Sequence, residues 1–401
     1  MSDRLIRVLH IITRLDPGGS AENTILSAER VNPERFDSTV WTGPGLDAQG
    51  PPQQAVDRLG DRLTIQHHLV RPIEPVTDLF ALFDLVRDLK RSHPDIVHLH
   101  SAKAGAIGRL AVRLAGLRPK TRVIYTPHGH VFSGYGGEGA SALFTRVERF
   151  LASWCDAIVG LTRDEIREFL EHRAGKREQF CVIPSGVDLT PFEMPAATRD
   201  STRASLGLTP EETVIGFIGR FEEVKGPDLA LEAVAQVMHH HPDVRFLMVG
   251  DGAMRPQLDE QARRLGIADR ILWTGWREDI PELLSAMDIY LLTSRNEGQG
   301  RVLVEAMASG LPIVAMKSGG VGEVVEEGRT GLLVPAGDVA GVAEQLKTLL
   351  QSPDHRHEMG QYGIDRAHRL FSLEEMIRRL EILYGGVMDG SSPEALLPVD
   401  L

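Results

Sequence analysis

Cysteine is nearly absent. Cys155 and Cys181 are the only two in 401 residues. Neither stands in a C-x-x-C or metal-ligand spacing, which excludes a disulfide framework or a cysteine zinc site and fits small buried thiols in a reducing compartment. Long apolar runs are also missing, and no stretch approaches the roughly 18 uncharged apolar residues a membrane helix needs. Asp3, Arg4 and Arg7 lead straight into a short strand, so no secretory leader is expected and the reading is cytoplasmic. Basic excess is lacking as well. Residues 1–190 hold 24 Lys and Arg against 23 Asp and Glu, and the remainder 20 against 33, for a net charge of −12. No part is basic enough to suggest a nucleic-acid partner. The glycine turns after the strands at Leu5 to Ile12 and Val244 to Val249 do not complete G-x-G-x-x-G, so no dinucleotide fingerprint stands there, and Asp-x-Asp occurs nowhere, so a paired-aspartate metal motif is absent.

What is present is alternation. Short apolar runs such as Leu5 to Ile12, Phe36 to Thr42, Pro94 to His100 and Arg122 to Thr126 read as buried parallel strands, with helical stretches between them. Leu63 to Val70 reads as a further strand. Asp78 to Arg91 reads as an amphipathic helix with Leu79, Leu82, Phe83, Val86 and Leu89 on one face. The length suits two domains: 1–190, a Pro, Ala and Thr-rich linker over 191–210, a second α/β unit over 211–370, a last helix over 371–389 and a tail over 390–401 without evident structure.

One stretch organises the chain. Ile289 to Leu292 reads as a strand, Thr293 to Gly300 as a loop and Arg301 to Ser309 as a helix ended by Gly310-Leu311-Pro312. Glu297 then stands just above a strand end and Glu305 one to two turns into the helix, so two carboxylates from different elements can face one pocket. A helix start between them favours phosphate. That combination suits a nucleotide sugar, with hydroxyls at both ends and a diphosphate between. The bland alternative is a solvated loop carboxylate and a helix Glu paired with an arginine. Arg220 at a strand end, with Lys225 before Gly226-Pro227 and a helix, could clamp the diphosphate; alternatively they form an ordinary charge cluster with Glu222 and Glu223.

The Glu297 loop, its spacing to Glu305 and the following Ala-Met-Ala-Ser-Gly-Leu-Pro-Ile-Val resemble the E-x7-E signature of family 4 retaining glycosyltransferases. The resemblance implies the GT-B fold: two doubly wound, Rossmann-like α/β domains facing across a cleft, with a C-terminal helix crossing back to the first. It extends from Gly216 to Gly337, with Gly219-Arg220 and Glu223-Val224-Lys225-Gly226, and more loosely to the Gly18-Gly19 turn and to His128-Gly129 after a strand. It implies roles in catalysis for Arg220, Lys225, Glu297 and His128. Donor contacts would come from Gly18, Gly19, Gly219, Trp276, Arg277, Gly298, Gln299, Gly300, Arg301, Val302 and Glu305. Glu297 would meet the sugar, Glu305 the ribose, and the turn at Trp276 the base. Gln299 and Arg301 depart from the family's usual aromatic and small residues, which opens the question of which sugar is preferred.

The function implied is transfer of a hexose or N-acetylhexosamine from a nucleotide diphosphate sugar, UDP ahead of GDP, with retention and without metal or cofactor. The acceptor would be a sugar or lipid-linked molecule in cell-envelope polysaccharide or glycolipid assembly. A nucleotide-sugar epimerase of the same fold and a non-catalytic nucleotide-sugar-binding subunit stand as alternatives. The basic run Arg109 to Arg122 is expected either to be a solvated face or to touch anionic lipid at the inner face of a membrane. His98 and His100 share a strand face and could suit a metal, but without an evident third ligand they read as structural. His130 is an adjacent alternative to His128, and Ser133 to Gly139 would form a mobile acceptor loop.

Overall fold

A computed structural model describes residues 4–45, 50–129, 132 and 138–399, and leaves the side chains of residues 138–143 undescribed. The chain forms two compact units, one of residues 1–186 with 373–401 and one of Val187–Ser372. The first is built on strands β1 (Ile6–Ile12), β2 (Phe36–Thr42), β3 (Leu63–Ile65), β4 (Ile96–His100), β5 (Arg122–Thr126), β6 (Ala157–Gly160) and β7 (Phe180–Val182). They form a parallel sheet in the order β3-β2-β1-β4-β5-β6-β7. The second unit holds β8 (Thr213–Ile218), β9 (Val244–Val249), β10 (Ile271–Gly275), β11 (Ile289–Leu292), β12 (Ile313–Lys317) and β13 (Gly331–Pro335) in the parallel order β10-β9-β8-β11-β12-β13. Central strands covered by helices on both faces are largely apolar, as Ile289-Tyr290-Leu291-Leu292 and Ile313-Val314-Ala315-Met316 are. Each order reverses once, between β1 and β4 and between β8 and β11, and ligands of doubly wound sheets bind at the strand carboxyl ends beside such a reversal.

The first unit is closed by the long helix Leu373–Met388 near the end of the chain. Its Leu373, Met376, Ile377, Leu380 and Leu383 are buried against Val8, Phe36, Ile96, Ile124 and Val159, as the apolar stripe requires. Both cysteines are free and buried, and burial pushes their thiols up to about 11 for Cys155 and about 12 for Cys181, where they are protonated and inert. Among the described residues no helix is long and apolar enough to cross a membrane.

Several expectations are corrected. The linker is no loose segment: it carries helices Thr190–Glu193 and Arg199–Ser205 and belongs to the second unit. Arg203 is buried and donates to the carbonyls of Ala286 and Thr209 at 3.0 and 2.8 Å, while Arg199 reaches Asp288 at 2.6 Å. The tail is ordered too, with helix Pro393–Leu396 and a buried Val399. Leu63 to Val70 is a strand over only its first three residues. Helix Pro75–Ser92 buries Ala81, Leu85 and Leu89, whereas Val76, Leu79, Phe80 and Phe83 are exposed. Of the expected face, Leu89 is buried and Leu82 and Val86 pack against the core, while Leu79 and Phe83 lie outside it. Arg109 is no surface cation. Its guanidinium is fully buried in helix Ala102–Leu114, paired with both carboxylate oxygens of Glu148 at 2.7 and 2.8 Å and stacked over Tyr125. Arg118 and Arg122 both pair with Asp156, so the run offers no row of free cations to a lipid surface.

Candidate active site

In the second unit the loops after β8, β11 and β12 converge at the strand-order reversal. Gly226 makes this possible. Its φ is +63°, and a Cβ there would stand 2.2 Å from the Thr293 carbonyl, so only glycine lets the turn after β8 lie against the end of β11. Thr293 Oγ1 donates to the Gly226 carbonyl at 2.7 Å, and the Arg295 amide to that of Val224 at 2.8 Å. Arg295 also forks onto Asp228 at 2.9 and 2.6 Å. Two loops 70 residues apart in sequence are thereby held in one register.

This lock delivers Lys225 to Glu297. Lys225 Nζ lies 2.7 Å from Glu297 Oε2, which also accepts from Ser294 Oγ at 3.0 Å. Glu297 is only 9% exposed. The loop after β12 straps the same segment, since the Gly320 amide donates to the carbonyls of Glu297 and Gly298 and Ser318 Oγ to that of Ser294. Gly300, at φ +71°, opens helix Arg301–Ala308 without a side-chain cap. Gln299 is buried, and Arg301 and Val302 are half-buried on the first turn. Glu305 is half-buried on the same helix; burial raises its carboxyl above the usual range and the Arg301 charge partly offsets this. Tyr290 lies fully buried between these groups. Burial and the fields of Glu297 and Glu305 push its phenol well up, and its hydroxyl donates to the Ile218 carbonyl at 3.3 Å.

The remaining expected donor residues of this unit stand at the same strand ends but are not joined to that pair. Arg220 follows Gly219 after β8, is 58% exposed along its side chain and pairs with Glu222 at 3.1 Å. The ordinary charge-cluster reading thus describes Arg220 in this state, while Lys225 points inward. Trp276 is 65% exposed beyond β10, and Arg277 beside it pairs with Asp279.

In the first unit Gly18 precedes and Gly19 opens helix Gly19–Arg30 after β1. Arg58 fixes that helix by contacts to Glu22 at 3.0 Å and Glu29 at 2.7 Å. His128 follows β5 at φ +61°, a left-handed setting uncommon for a residue with a Cβ and shared by His93, Ser101 and Arg173. His130 and the glycine-rich run over residues 133–137 lie outside the described residues.

His128 ends a histidine cluster. His10 on β1 is in register with His98 on β4, which puts both, with His100 two residues on, on one sheet face. His10 Nδ1 lies 2.9 Å from His100 Nε2, and His100 Nδ1 lies 2.9 Å from His128 Nε2. His98 lies against His100 with ring centroids 4.2 Å apart and the planes tilted by 33°, and is held by Tyr384 Oη and Thr126 Oγ1, both at 2.8 Å. A third histidine therefore exists, and ligand atoms of His10, His98 and His100 all lie within 4.8 Å of one another. The bonding still favours a structural role over a metal: both nitrogens of His98 face hydroxyls and both of His100 face imidazoles, leaving His10 Nε2 alone without a partner. His10 was missed in the sequence, although a polar residue inside Arg7-Val8-Leu9-His10-Ile11-Ile12 is a visible signal. Tyr384 and Ser294 gave none.

Comparison with known proteins shows the family and the fold. Residues 198–366 match the model "Glycosyl transferases group 1", and residues 18–191 match "Glycosyltransferase Family 4". The chain is 31% identical to the UDP-Gal:alpha-D-GlcNAc-diphosphoundecaprenol alpha-1,3-galactosyltransferase of Escherichia coli, covering 68% of this chain and 70% of that protein. It is 31% identical to the D-inositol 3-phosphate glycosyltransferase of Corynebacterium urealyticum over 84% of each. Among solved structures, Anabaena HepE in complex with UDP and glucose superposes with a TM-score of 0.79 at 23% identity, covering 95% of this chain and 99% of that one. WaaG, a glycosyltransferase involved in lipopolysaccharide biosynthesis, gives 0.73 at 18% identity over 94% and 100%. These likenesses in structure are likenesses of fold, and the fold is GT-B.

Proposed function

Since the chain belongs to glycosyltransferase family 4, we propose that it transfers a hexosyl or N-acetylhexosaminyl group from a UDP-sugar, with retention of anomeric configuration and without a metal, to an acceptor in cell-envelope polysaccharide or glycolipid assembly in the cytoplasm. The observation that carries this reading is the Lys225–Glu297 pair, sunk at the β8/β11 reversal and 2.7 Å long. It offers one cation and one carboxylate to a ligand that needs both. A diphosphate arriving there takes Lys225 as its counter-charge, and Glu297 is released to accept from sugar hydroxyls. Glu305, one to two turns into the helix, accepts from the ribose. Charge that grows on the departing diphosphate is met by Lys225, by Arg220 once it leaves Glu222, and by the start of helix Arg301–Ala308; such stabilisation is often the largest catalytic term. The donor choice is supported by the names of relatives and neighbours, which include a UDP-Gal transferase and complexes with UDP. The acceptor class is supported by a relative whose acceptor is a diphosphoundecaprenol-linked sugar.

A thermal-shift panel of UDP-, GDP- and ADP-sugars tests the donor, because a ligand that binds only the folded state raises the midpoint. UDP-sugars should stabilise most. Release of free UDP should then require an acceptor. UDP formed at full rate without any acceptor would instead favour epimerase chemistry, and binding with no turnover over a broad acceptor panel a silent subunit.

A further inference from the structure

The three histidines His10, His100 and His128 form an unbranched chain of two ring-to-ring hydrogen bonds, each 2.9 Å. In each bond one nitrogen must carry the proton and the other must accept it. Burial lowers the pKa of all three, so each ring is neutral and has one proton. Only two arrangements satisfy both bonds. Either every ring is protonated on Nδ1, so that His10 donates to His100 and His100 to His128, or every ring is protonated on Nε2 and the bonds run backwards. The tautomers are locked together.

The two ends decide between them. His10 Nε2 and His128 Nδ1 are both buried without a hydrogen-bond partner. Protonation on Nε2 throughout would leave an orphaned N–H at His10, inside β1, where no ligand can reach it. Orphaned buried N–H groups are rarer than under-used acceptors. Protonation on Nδ1 throughout leaves only a bare nitrogen at His10, and places the spare N–H on half-buried His128, at the strand end where a ligand can meet it.

The geometry points to His10 and His100 as positioning residues that hold His128 with its proton on Nδ1, a fixed hydrogen-bond donor to an oxygen of the bound substrate. This rests on the transferase reading for the identity of that substrate, but not for the tautomer itself. It also assigns a reason for the left-handed backbone of His128, since φ +61° carries the ring back toward His100. The solution preference of imidazole is the opposite one, Nε2–H, so the lock makes a difference that can be observed.

The test is long-range ¹H–¹⁵N correlation on ¹⁵N-histidine-labelled protein, in which protonated and bare ring nitrogens resonate far apart. Wild-type protein should show His10, His100 and His128 all as Nδ1–H tautomers. His100→Leu should return His128 to the Nε2–H form and lower kcat about tenfold or more, the range for lost partners of an oriented histidine. Affinity for free UDP, read by calorimetry, should not change. His10→Asn, whose amide can donate from the Nδ1 position, should keep His128 as wild type. An Nε2–H form of His128 in the wild-type protein overturns the inference, as does an unchanged Nδ1–H form in His100→Leu. The wild-type measurement needs no variant to fold and no turnover. A protein that binds no nucleotide sugar yet shows three Nδ1–H rings sinks the transferase reading alone.

Discussion

The Lys225–Glu297 pair makes a prediction that separates binding from chemistry. In the free protein Glu297 competes with the donor diphosphate for the same ammonium, 2.7 Å away. Glu297→Gln removes the competing charge but keeps the shape. The side chains are 25% and 10% exposed, so the pair is neither a surface contact nor a fully desolvated one. A partly exposed pair of this kind is worth about 0.5–1 kcal/mol, which corresponds to UDP binding about two- to fivefold tighter in Glu297→Gln. Turnover should nevertheless fall, because the sugar hydroxyls lose an ionised acceptor.

Lys225→Ala acts the other way. It strands a carboxylate with Ser294 Oγ as its remaining bond at 3.0 Å. Breaking a fully buried pair costs about 3–5 kcal/mol, and discounting for exposure leaves about 1–2 kcal/mol. For a unit of this size that lowers the midpoint by about 2–8 °C. kcat should fall on the order of 10²–10³, with weaker UDP. The double variant Lys225→Ala, Glu297→Gln should recover most of the lost stability and none of the activity. Calorimetry with UDP, thermal unfolding and initial rates on the four proteins decide it. Should Glu297→Gln weaken UDP as much as Lys225→Ala does, the two groups do not compete for the diphosphate, and the division of roles is wrong.

Three further outcomes follow from the geometry. Chelator should leave turnover intact, and full loss restored by Mg²⁺ or Mn²⁺ would show that a metal shares the leaving-group charge. Glu305, whose carboxyl is raised by burial, takes up its proton more readily folded than unfolded, so its favourable contribution is present below the unfolded glutamate value of about 4.3 and is lost as pH rises through the folded one. Glu305→Gln should therefore raise the melting temperature near pH 7 and lose that gain at about pH 4, while weakening UDP at both; a gain independent of pH would place the cause elsewhere. Glu148→Gln leaves Arg109 buried with half its partner and should cost about 3–5 kcal/mol in urea unfolding, whereas a loss below about 1 kcal/mol would mean that water reaches the guanidinium.

What the sequence could show depended on how local each cause was. The strand, loop and helix around Glu297 are encoded by neighbours: an apolar run, two glycines and a row of helix formers. Arg109 was misread because its partner Glu148 is 39 residues away, and a charge on a helix looks the same whether it faces water or a buried carboxylate. The segment around Arg203 has the composition of a linker, though its place is set by the carbonyls of Ala286 and Thr209. The periodicity of helix Pro75–Ser92 places Leu82, Val86 and Leu89 against the core, but the apolar stripe is wider than the surface it meets, and Leu79 and Phe83 are left exposed. Lys225 and Glu297 were each singled out, but their direct pairing depends on the Gly226 and Thr293 contact, which only the fold brings about.

The first unit is completed by residues that come last in the chain, and this orders events during synthesis. When Gly186 leaves the ribosome, all seven strands of its sheet exist, yet the face formed by Val8, Ile96, Ile124 and Val159 has only Leu26 and Val31 beside it and lacks its main cover. The covering helix, Leu373–Met388, waits behind the 186 residues of the second unit. At roughly 5–20 residues per second that is a delay of about 10–40 s. The unit begun first is thus finished second, and through the interval part of its apolar face stays open. Tyr384, which holds His98, arrives only after that wait, so the histidine cluster gains one of its fixing bonds from nearly the last part of the chain to be made.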